Sequence, residues 1–196
     1  MPSRHHGSQT RERILDAASQ AFRETGVTAT GIDAVMARAG LTHGGFYAHF
    51  SSKAELVQAT LSATAENQAR NHVFAEVAHL RGRELLTASI DTYLSVWHRD
   101  HPGHGCSIPT LGAELPRLGS ALAGSMAQPV RGLVAFLAEN FPPPRGTARE
   151  RAQAFVALLV GGVVTSRTLP DDQAVGWLAS CRRAATAMIT AAGEPR

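Results

Sequence analysis

The apolar positions in roughly the first forty residues recur at the spacing of amphipathic helices. From about Thr10, residues three and four apart form an apolar stripe that consists of Ile14, Ala18, Ala21 and Phe22. A second stripe, with the i, i+3, i+4, i+7 spacing, consists of Ile32, Val35, Met36 and Ala39. Gly26 and Gly40 follow these stripes. We expect them to end the two helices, since a residue without a Cβ atom adopts the left-handed conformation most easily.

Two further helical segments follow directly. Thr42 predicts the start of a short segment, residues 43–50, in which Phe46 and Phe50 face inward. Residues 52–55 have the form of a capping box and predict the start of a long helix. A helix, a tight glycine turn and a short second helix are typical of a helix-turn-helix motif, with residues 43–50 as the element for the DNA major groove.

The same region resembles a known family. The stretches TRERILDAASQAF, TGIDAVMARAG and GLTHGGFYAHFSSKAEL, which lie between Thr10 and Leu56, resemble the N-terminal DNA-binding domain of TetR/AcrR-type bacterial transcriptional regulators. The resemblance implies an all-α protein with a three-helix head over residues 9–52 and a larger helical ligand-binding and dimerisation domain over residues 53–196. We expect residues 1–8, which are polar, to form a disordered arm.

The candidate DNA-binding residues are polar or small residues on the exposed side of the motif: Thr30, Thr42, His43, Gly44, Gly45, Tyr47, His49 and Lys53. Thr30 is expected to cap the second helix through the amide of Asp33. By the resemblance, Tyr47, His49 and Lys53 contact phosphates, and Thr42 and His43 lie at the entry to the groove. Gly45 stands where many family members carry a larger polar residue.

Composition adds a few constraints. The length of 196 residues suits either one compact domain or a small head plus a larger body, and the net charge of +3 is too small to indicate a nucleic-acid binder by itself. Two cysteines do not make a disulfide framework, and no signal peptide or spanning segment is apparent, so we expect a cytoplasmic protein without a membrane partner. No nucleophile elbow, phosphate-binding glycine loop or HExxH motif occurs, so we predict neither an enzyme nor a cofactor or metal.

The body is predicted to contain a helix from Lys53 to about residue 80, another over residues 83–99, and a loop from His101. Further helices are predicted over residues 118–141, with Pro129 as a kink or break, after Thr147, and after Asp171 or Asp172. Residues 154–164 are apolar on all sides, so one side of that helix needs a partner. We therefore predict a homodimer whose interface includes Phe155, Leu159, Val160, Val163, Trp177, Cys181 and Met188. An ordinary monomer core is the alternative.

By resemblance the body holds a small-molecule effector of unknown identity, and its binding releases a repressor from a double-stranded DNA operator. Aromatic, sulfur-containing and other large apolar residues are the candidate pocket lining: Phe74, Tyr93, Trp97, Cys106, Met126 and Phe136. Core packing is the alternative role for each of them.

Two alternatives concern the loop that ends at Cys106. Exposure in this loop and a neighbouring imidazolium would favour a reactive thiolate, and some members of the family sense reactive compounds through cysteine. The chain would then be a thiol-based redox or electrophile sensor. His98, His101, His104 and Cys106 also have spacings compatible with a zinc site, which would make a His/Cys metal-binding helical protein the second alternative.

Overall fold

The computed structural model describes residues 4–66, 72–142 and 147–190. Every regular element in these ranges is helical. The α-helices are α1 (Arg4–Ala29), α2 (Ile32–Arg38), α3 (Lys53–Glu66), α4 (His72–Ala75), α5 (Gly82–Tyr93), α6 (Val96–Asp100), α7 (Ser107–Leu111), α8 (Ser120–Ala123), α9 (Ala127–Ala138), α10 (Ala148–Ser166) and α11 (Asp171–Thr190). Short 3-10 helices span His43–Ala48, Pro102–His104 and Leu115–Leu118.

The head consists of α1, α2, the His43–Ala48 helix and the start of α3. Both predicted glycine breaks are present, because Gly26 and Gly40 have φ angles of 83° and 66°. The apolar stripes predicted from the sequence are buried, apart from the half-buried Ile32. Helix α1 begins at Arg4, inside the segment predicted to be a disordered arm, and residues 1–3 lie outside the described range.

The capping predictions had mixed outcomes. Ser52 caps α3 as predicted, since its Oγ accepts from the Glu55 amide at 3.1 Å. The Glu55 carboxylate reaches one residue further back and accepts from the amide of Ser51 at 2.7 Å. Thr30 does not cap α2. Its hydroxyl donates to the Gly26 carbonyl at 2.6 Å, and Gly31 takes the N-cap position.

Several boundaries in the body differ from the prediction. The long helix from Lys53 is described as far as Glu66, and residues 67–71 lie outside the described range. The helix predicted over residues 83–99 is two helices, because Ser95 accepts from the His98 amide at 3.0 Å and starts α6. Pro129 introduces no kink, since it lies in the first turn of α9, where its missing N–H has no intrahelical partner.

Two apolar cores organise the chain. The body core consists mainly of residues from α4, α5, α9, α10 and α11. The head core contains α1, α2, the His43–Ala48 helix and α3, and it also includes Leu111, Leu115, Leu122 and Met126 from the segment that follows Cys106. The head is therefore packed against part of the body, and apolar contacts cross the predicted boundary at residue 52.

One stretch in the described ranges, Ser120–Ala138, is long and apolar enough to be a candidate membrane span by composition. The structure divides it at residues 124–126 into α8 and α9. Leu133, Val134 and Leu137 of α9 lie in the body core with residues of α10. Part of the apolar surface of this stretch is therefore used in packing.

Candidate DNA-binding surface and effector core

The recognition segment, His43–Ala48, presents polar side chains above a rigid apolar base. Phe46 and Phe50 are fully buried, and their rings stack at 5.7 Å between centroids. Tyr47 lies on the opposite side and is 61% exposed. Since Thr42, His43 and Gly44 are also exposed, the segment offers hydroxyl and imidazole groups and open backbone on one face.

Neighbouring residues orient these polar groups. His43 Nδ1 pairs with the Asp33 carboxylate in the first turn of α2, and the Tyr47 ring packs edge-on against Phe46. The capping interaction of Ser52 places Lys53 at the start of α3, beside the recognition segment. Asp33 was not among the predicted site residues, although its i+10 relation to His43 across the turn holds the imidazole in place.

The remaining predicted DNA-contact residues are less accessible. His49 and Gly45 are half-buried, and a Cβ atom on Gly45 would lie 3.7 Å from Met36 Cε. Thr30 is 3% exposed and bonded to α1, so its side chain is not available to DNA. The structure thus brings together Thr42, His43, Gly44, Tyr47 and Lys53 and leaves Thr30 out.

The predicted pocket residues fall into two groups. Phe74 packs against Tyr93 at 5.7 Å and against Phe136 at 6.2 Å, and Cys106 belongs to the same core. Trp97 is 51% exposed, and its ring stacks on His101 instead. Met126 packs into the head core. Trp97 and Met126 are therefore separated from the aromatic cluster by the break before α6 and by the way α8 and α9 pack.

Comparison with known proteins is decisive for the head. The family model described as "Bacterial regulatory proteins, tetR family" matches residues 14–60. The head belongs to the TetR family. The HTH-type transcriptional regulator TtgR of Pseudomonas putida is 41% identical over 64 residues, which are 33% of this chain and 30% of TtgR. The match thus spans about a third of that relative.

Solved structures extend the likeness to the whole fold. The reduced form of Escherichia coli NemR superposes with a TM-score of 0.73 at 20% identity, over 94% of this chain and 100% of that one. Bacillus subtilis FadR in complex with stearoyl-CoA gives a TM-score of 0.64 at 18% identity, over 91% and 97% of the two chains. This chain therefore has the all-α fold of TetR-family regulators, with an N-terminal helix-turn-helix head and a helical C-terminal body.

In the body core, His98 connects the end of α5 to the N-cap residue of α7. It is fully buried; its Nδ1–H donates to the Tyr93 carbonyl at 2.6 Å, and its Nε2 accepts from the Cys106 amide at 3.0 Å. Both nitrogens are thus used, which fixes one neutral tautomer. Burial lowers the pKa of His98 to about 4. This histidine is a structural bridge at neutral pH.

The metal alternative is not supported by this arrangement. His98 has no nitrogen left for a metal, and His101 Nδ1 is 2.8 Å from the Trp97 carbonyl. Within residues 4–66, 72–142 and 147–190, no three His, Cys, Asp or Glu side chains converge into a candidate metal site.

The His98 bridge predicts acid sensitivity. Its pKa is near 6.5 when unfolded and about 4 when folded, so the unfolded chain binds more protons between these values. The contribution of His98 to the free energy of unfolding should be fully present above pH 6.5. It should be lost on acidification towards pH 4, and the loss amounts to about 3 kcal/mol at 1.36 kcal/mol per pH unit. Urea unfolding at a series of pH values from 7 to 4 measures this loss. The His98→Gln variant should show a shallower pH dependence, and an identical one would rule out His98 as the cause.

Cys106 does not lie in an exposed loop, as the thiol-sensor alternative required. It is 2% exposed at the N-cap of α7, and its amide is held by a neutral imidazole. The Tyr93 hydroxyl lies beside the thiol. Burial and then the proximity of Cys106 raise the pKa of Tyr93 well above its usual value. The loop folds inward because Gly103 and Gly105 let it approach α1 and His98 closely.

This burial predicts slow reaction of Cys106 with alkylating reagents. Cys181 is 8% exposed, and burial raises the pKa of its thiol. We expect Cys106 to react with iodoacetamide at pH 7 no faster than Cys181, because neither sulfur is accessible. The rates can be separated in the single-cysteine variants Cys106→Ser and Cys181→Ser. Faster modification of Cys106, with release of bound DNA, would support the thiol-sensor alternative.

The predicted dimer residues also divide into two groups. Phe155, Leu159, Val163 and Cys181 are buried in the body core of their own chain, so they are not available to a partner. Val160 and Met188 are half-buried, and Trp177 is 42% exposed. The outward stripe of α10 consists of Ala157, Val160, Gly161 and Val164. These four residues have the i, i+3, i+4, i+7 spacing, so the unpaired apolar face of α10 is shifted from the predicted one.

Proposed function

We propose that this protein is a homodimeric, DNA-binding transcriptional regulator of the TetR family, which represses its target and is released from the operator by a small molecule. The observation that carries the proposal is the recognition segment, in which exposed Thr42, His43 and Tyr47 stand on the buried Phe46 and Phe50. Polar side chains held on a rigid base suit phosphate and groove contacts. Such a regulator acts in the cytoplasm and is not expected to be an enzyme.

The proposed contacts have separate roles. Tyr47 and Lys53 are placed to bind phosphates, which contributes affinity for any sequence. Thr42 and His43 begin the recognition segment, so they are the side chains proposed to approach base edges. The small Gly44 and Gly45 permit close approach of the backbone.

A dimer is proposed because apolar residues are grouped on part of the outward faces of α10 and α11. Val164 on α10 and Val175 and Trp177 on α11 are all exposed in the single chain. Exposed apolar residues grouped in this way mark association surfaces. Gly161 is exposed on α10 and lets a partner helix approach closely. Two helices from each chain would then form a four-helix interface.

An effector site is proposed in the aromatic cluster of the body. Ser89 Oγ and Tyr93 Oη lie one turn apart on α5 and are buried. Ser89 Oγ has no hydrogen-bond partner among the described residues, whereas Tyr93 Oη lies beside the Cys106 thiol. Buried polar atoms are nearly always paired, so the Ser89 hydroxyl favours a ligand with a hydrogen-bonding group. Phe74 and Phe136 would contact its apolar part. FadR, one of the structural neighbours, is solved with stearoyl-CoA.

Selection from a random double-stranded DNA library tests the proposal. The purified full-length chain should enrich a palindromic site whose half-sites lie about 34–36 Å apart, one helical turn of DNA, because two heads in adjacent major grooves require this spacing. Enrichment of non-palindromic sites would contradict the dimer. No enrichment at low salt would contradict DNA binding itself.

A further inference from the structure

Residues 102–114 form a bridging segment that contacts the head at both of its ends. The N-terminal end of this segment is attached to the head through Arg23. Arg23 lies on α1 and is only 5% exposed, and its Nε donates to the Gly103 carbonyl at 2.9 Å. A Cβ atom on Gly103 would lie 2.5 Å from Glu24 Cγ, so the close approach to α1 requires glycine here. The beginning of this bridging segment is therefore fixed to the side of α1.

Its other end is attached through a carboxylate. Glu114 Oε2 accepts from the Val27 amide at 2.9 Å, and Oε1 accepts from the amide and the hydroxyl of Thr28, both at 2.7 Å. These donors lie just after Gly26, in the corner between α1 and α2. A Cβ atom on Gly26 would lie 2.8 Å from Glu114 Oε2, so the corner is shaped to receive the carboxylate.

The electrostatics favour the charged form of Glu114. Partial burial raises the pKa of its carboxyl, but the hydrogen bonds from Thr28 and Val27 outweigh this effect and lower the pKa below its ordinary value. Lys53, a proposed phosphate contact, lowers it further. At neutral pH the contact therefore consists of charge-assisted hydrogen bonds, which are stronger than neutral ones.

The bridging segment also connects the two apolar cores. Cys106 lies in the body core with Tyr93, whereas Leu111 lies in the head core. Ile108 packs against both cores. A displacement at the aromatic cluster of the body thus has a continuous packed route to the corner held by Glu114.

We propose that Glu114 is a positioning residue that fixes the orientation of the head on the body and thereby sets the spacing between the two half-sites that the dimer binds. This inference rests on the proposed function. Without the carboxylate, the corner of the helix-turn-helix keeps its core and its recognition segment but loses three hydrogen bonds to the body. Each head then reads the same half-site sequence, while the distance between the heads is less tightly restricted, because only the Arg23 contact and the shared apolar packing remain.

The test is selection from a library in which two half-sites, identified first with the parent protein, are separated by variable lengths of DNA. The parent should enrich one spacing. Glu114→Ala should enrich the same half-site sequence at several spacings and bind the parent operator about tenfold more weakly. Glu139→Ala is the matched control, because Glu139 is an exposed body glutamate at the end of α9. It should select the parent spacing alone.

Two further variants separate positioning from a loss of folded protein. Glu114→Gln keeps one carbonyl oxygen as an acceptor, so its distribution of spacings should lie between those of the parent and Glu114→Ala. Thr28→Val removes the hydroxyl that donates to Glu114 Oε1, one of the three hydrogen bonds, and should broaden the spacing less than Glu114→Ala does. A lower fraction of folded protein would reduce binding at all spacings equally and leave their distribution unchanged.

The outcomes are distinguishable. If the parent selects one spacing and a folded Glu114→Ala selects the same one, the positioning role is wrong while the proposed function stands. If Glu114→Ala does not fold, the distribution of spacings selected by Glu114→Gln decides whether the positioning role is right or wrong. If the parent enriches no DNA at all, the proposed function fails and this inference fails with it.

Discussion

Val164→Asp should convert the protein to a monomer and weaken operator binding by about 10²- to 10⁴-fold. Val164 is 41% exposed in the single chain, so the new carboxylate remains hydrated in the monomer and the fold is retained. In the proposed dimer the same carboxylate would be buried without a partner, at a cost of several kcal/mol. Affinity falls steeply because the two heads are then no longer held together, and the second half-site no longer benefits from a high effective concentration.

Analytical ultracentrifugation and binding to the selected operator measure the two effects. Leu118→Asp is the control for dimerisation, since Leu118 is 37% exposed and lies in the Leu115–Leu118 helix, which is not part of the proposed interface. It should remain dimeric. Val163→Asp is less informative, because Val163 is fully buried and its change would unfold the chain with or without a partner. A dimeric, folded Val164→Asp protein would place the interface elsewhere.

The Tyr47→Phe and Lys53→Ala double variant should bind the operator about a hundredfold more weakly, with little change in sequence preference. Tyr47 is 61% exposed, and Lys53 lies at the capped start of α3, so neither change removes a core contact. Each dimer loses four proposed phosphate contacts, and at about 0.7 kcal/mol each, near the lower end of the net contribution of a hydrogen bond, their total of about 2.7 kcal/mol corresponds to a hundredfold loss. Losing one lysine per head should also reduce the salt slope of binding by about 2.

Titrations of labelled operator over a range of salt concentrations give both quantities. Arg149→Ala is the matched control, because Arg149 is an exposed cation on α10 in the body, and its loss should leave the salt slope unchanged. If the double variant retains both the affinity and the salt slope of the parent, the phosphate contacts are made by other residues.

Much of the head was predictable because the signals that form it are local. The breaks at Gly26 and Gly40 depend on a residue that tolerates a positive φ angle directly after an apolar stripe. Ser52 caps α3 through an amide three residues away. The pairing of the buried Phe46 with Phe50 follows from one helical turn. These features need no knowledge of the rest of the chain.

In the body, local sequence patterns were not sufficient to predict which side chains are buried. Periodicity indicated that the α10 region is apolar on all sides but not which side faces its own core, and the structure buries Phe155, Leu159 and Val163 there. Trp97 was expected to be buried on a continuous helix. The break at Ser95 turns it outward.

By itself the sequence determined the apolar stripes of the head, the breaks at Gly26 and Gly40, the Ser52 cap, and the presentation of a polar recognition segment on an apolar base, because these depend on residues within a few positions of each other. The tertiary structure alone decided that His98 joins Tyr93 to Cys106, that Cys106 is buried, and that Glu114 holds the corner of the head 86 residues away. Such contacts are made between segments distant in sequence, whose meeting is set by the packing of whole helices. No local pattern of apolar and polar residues specifies them.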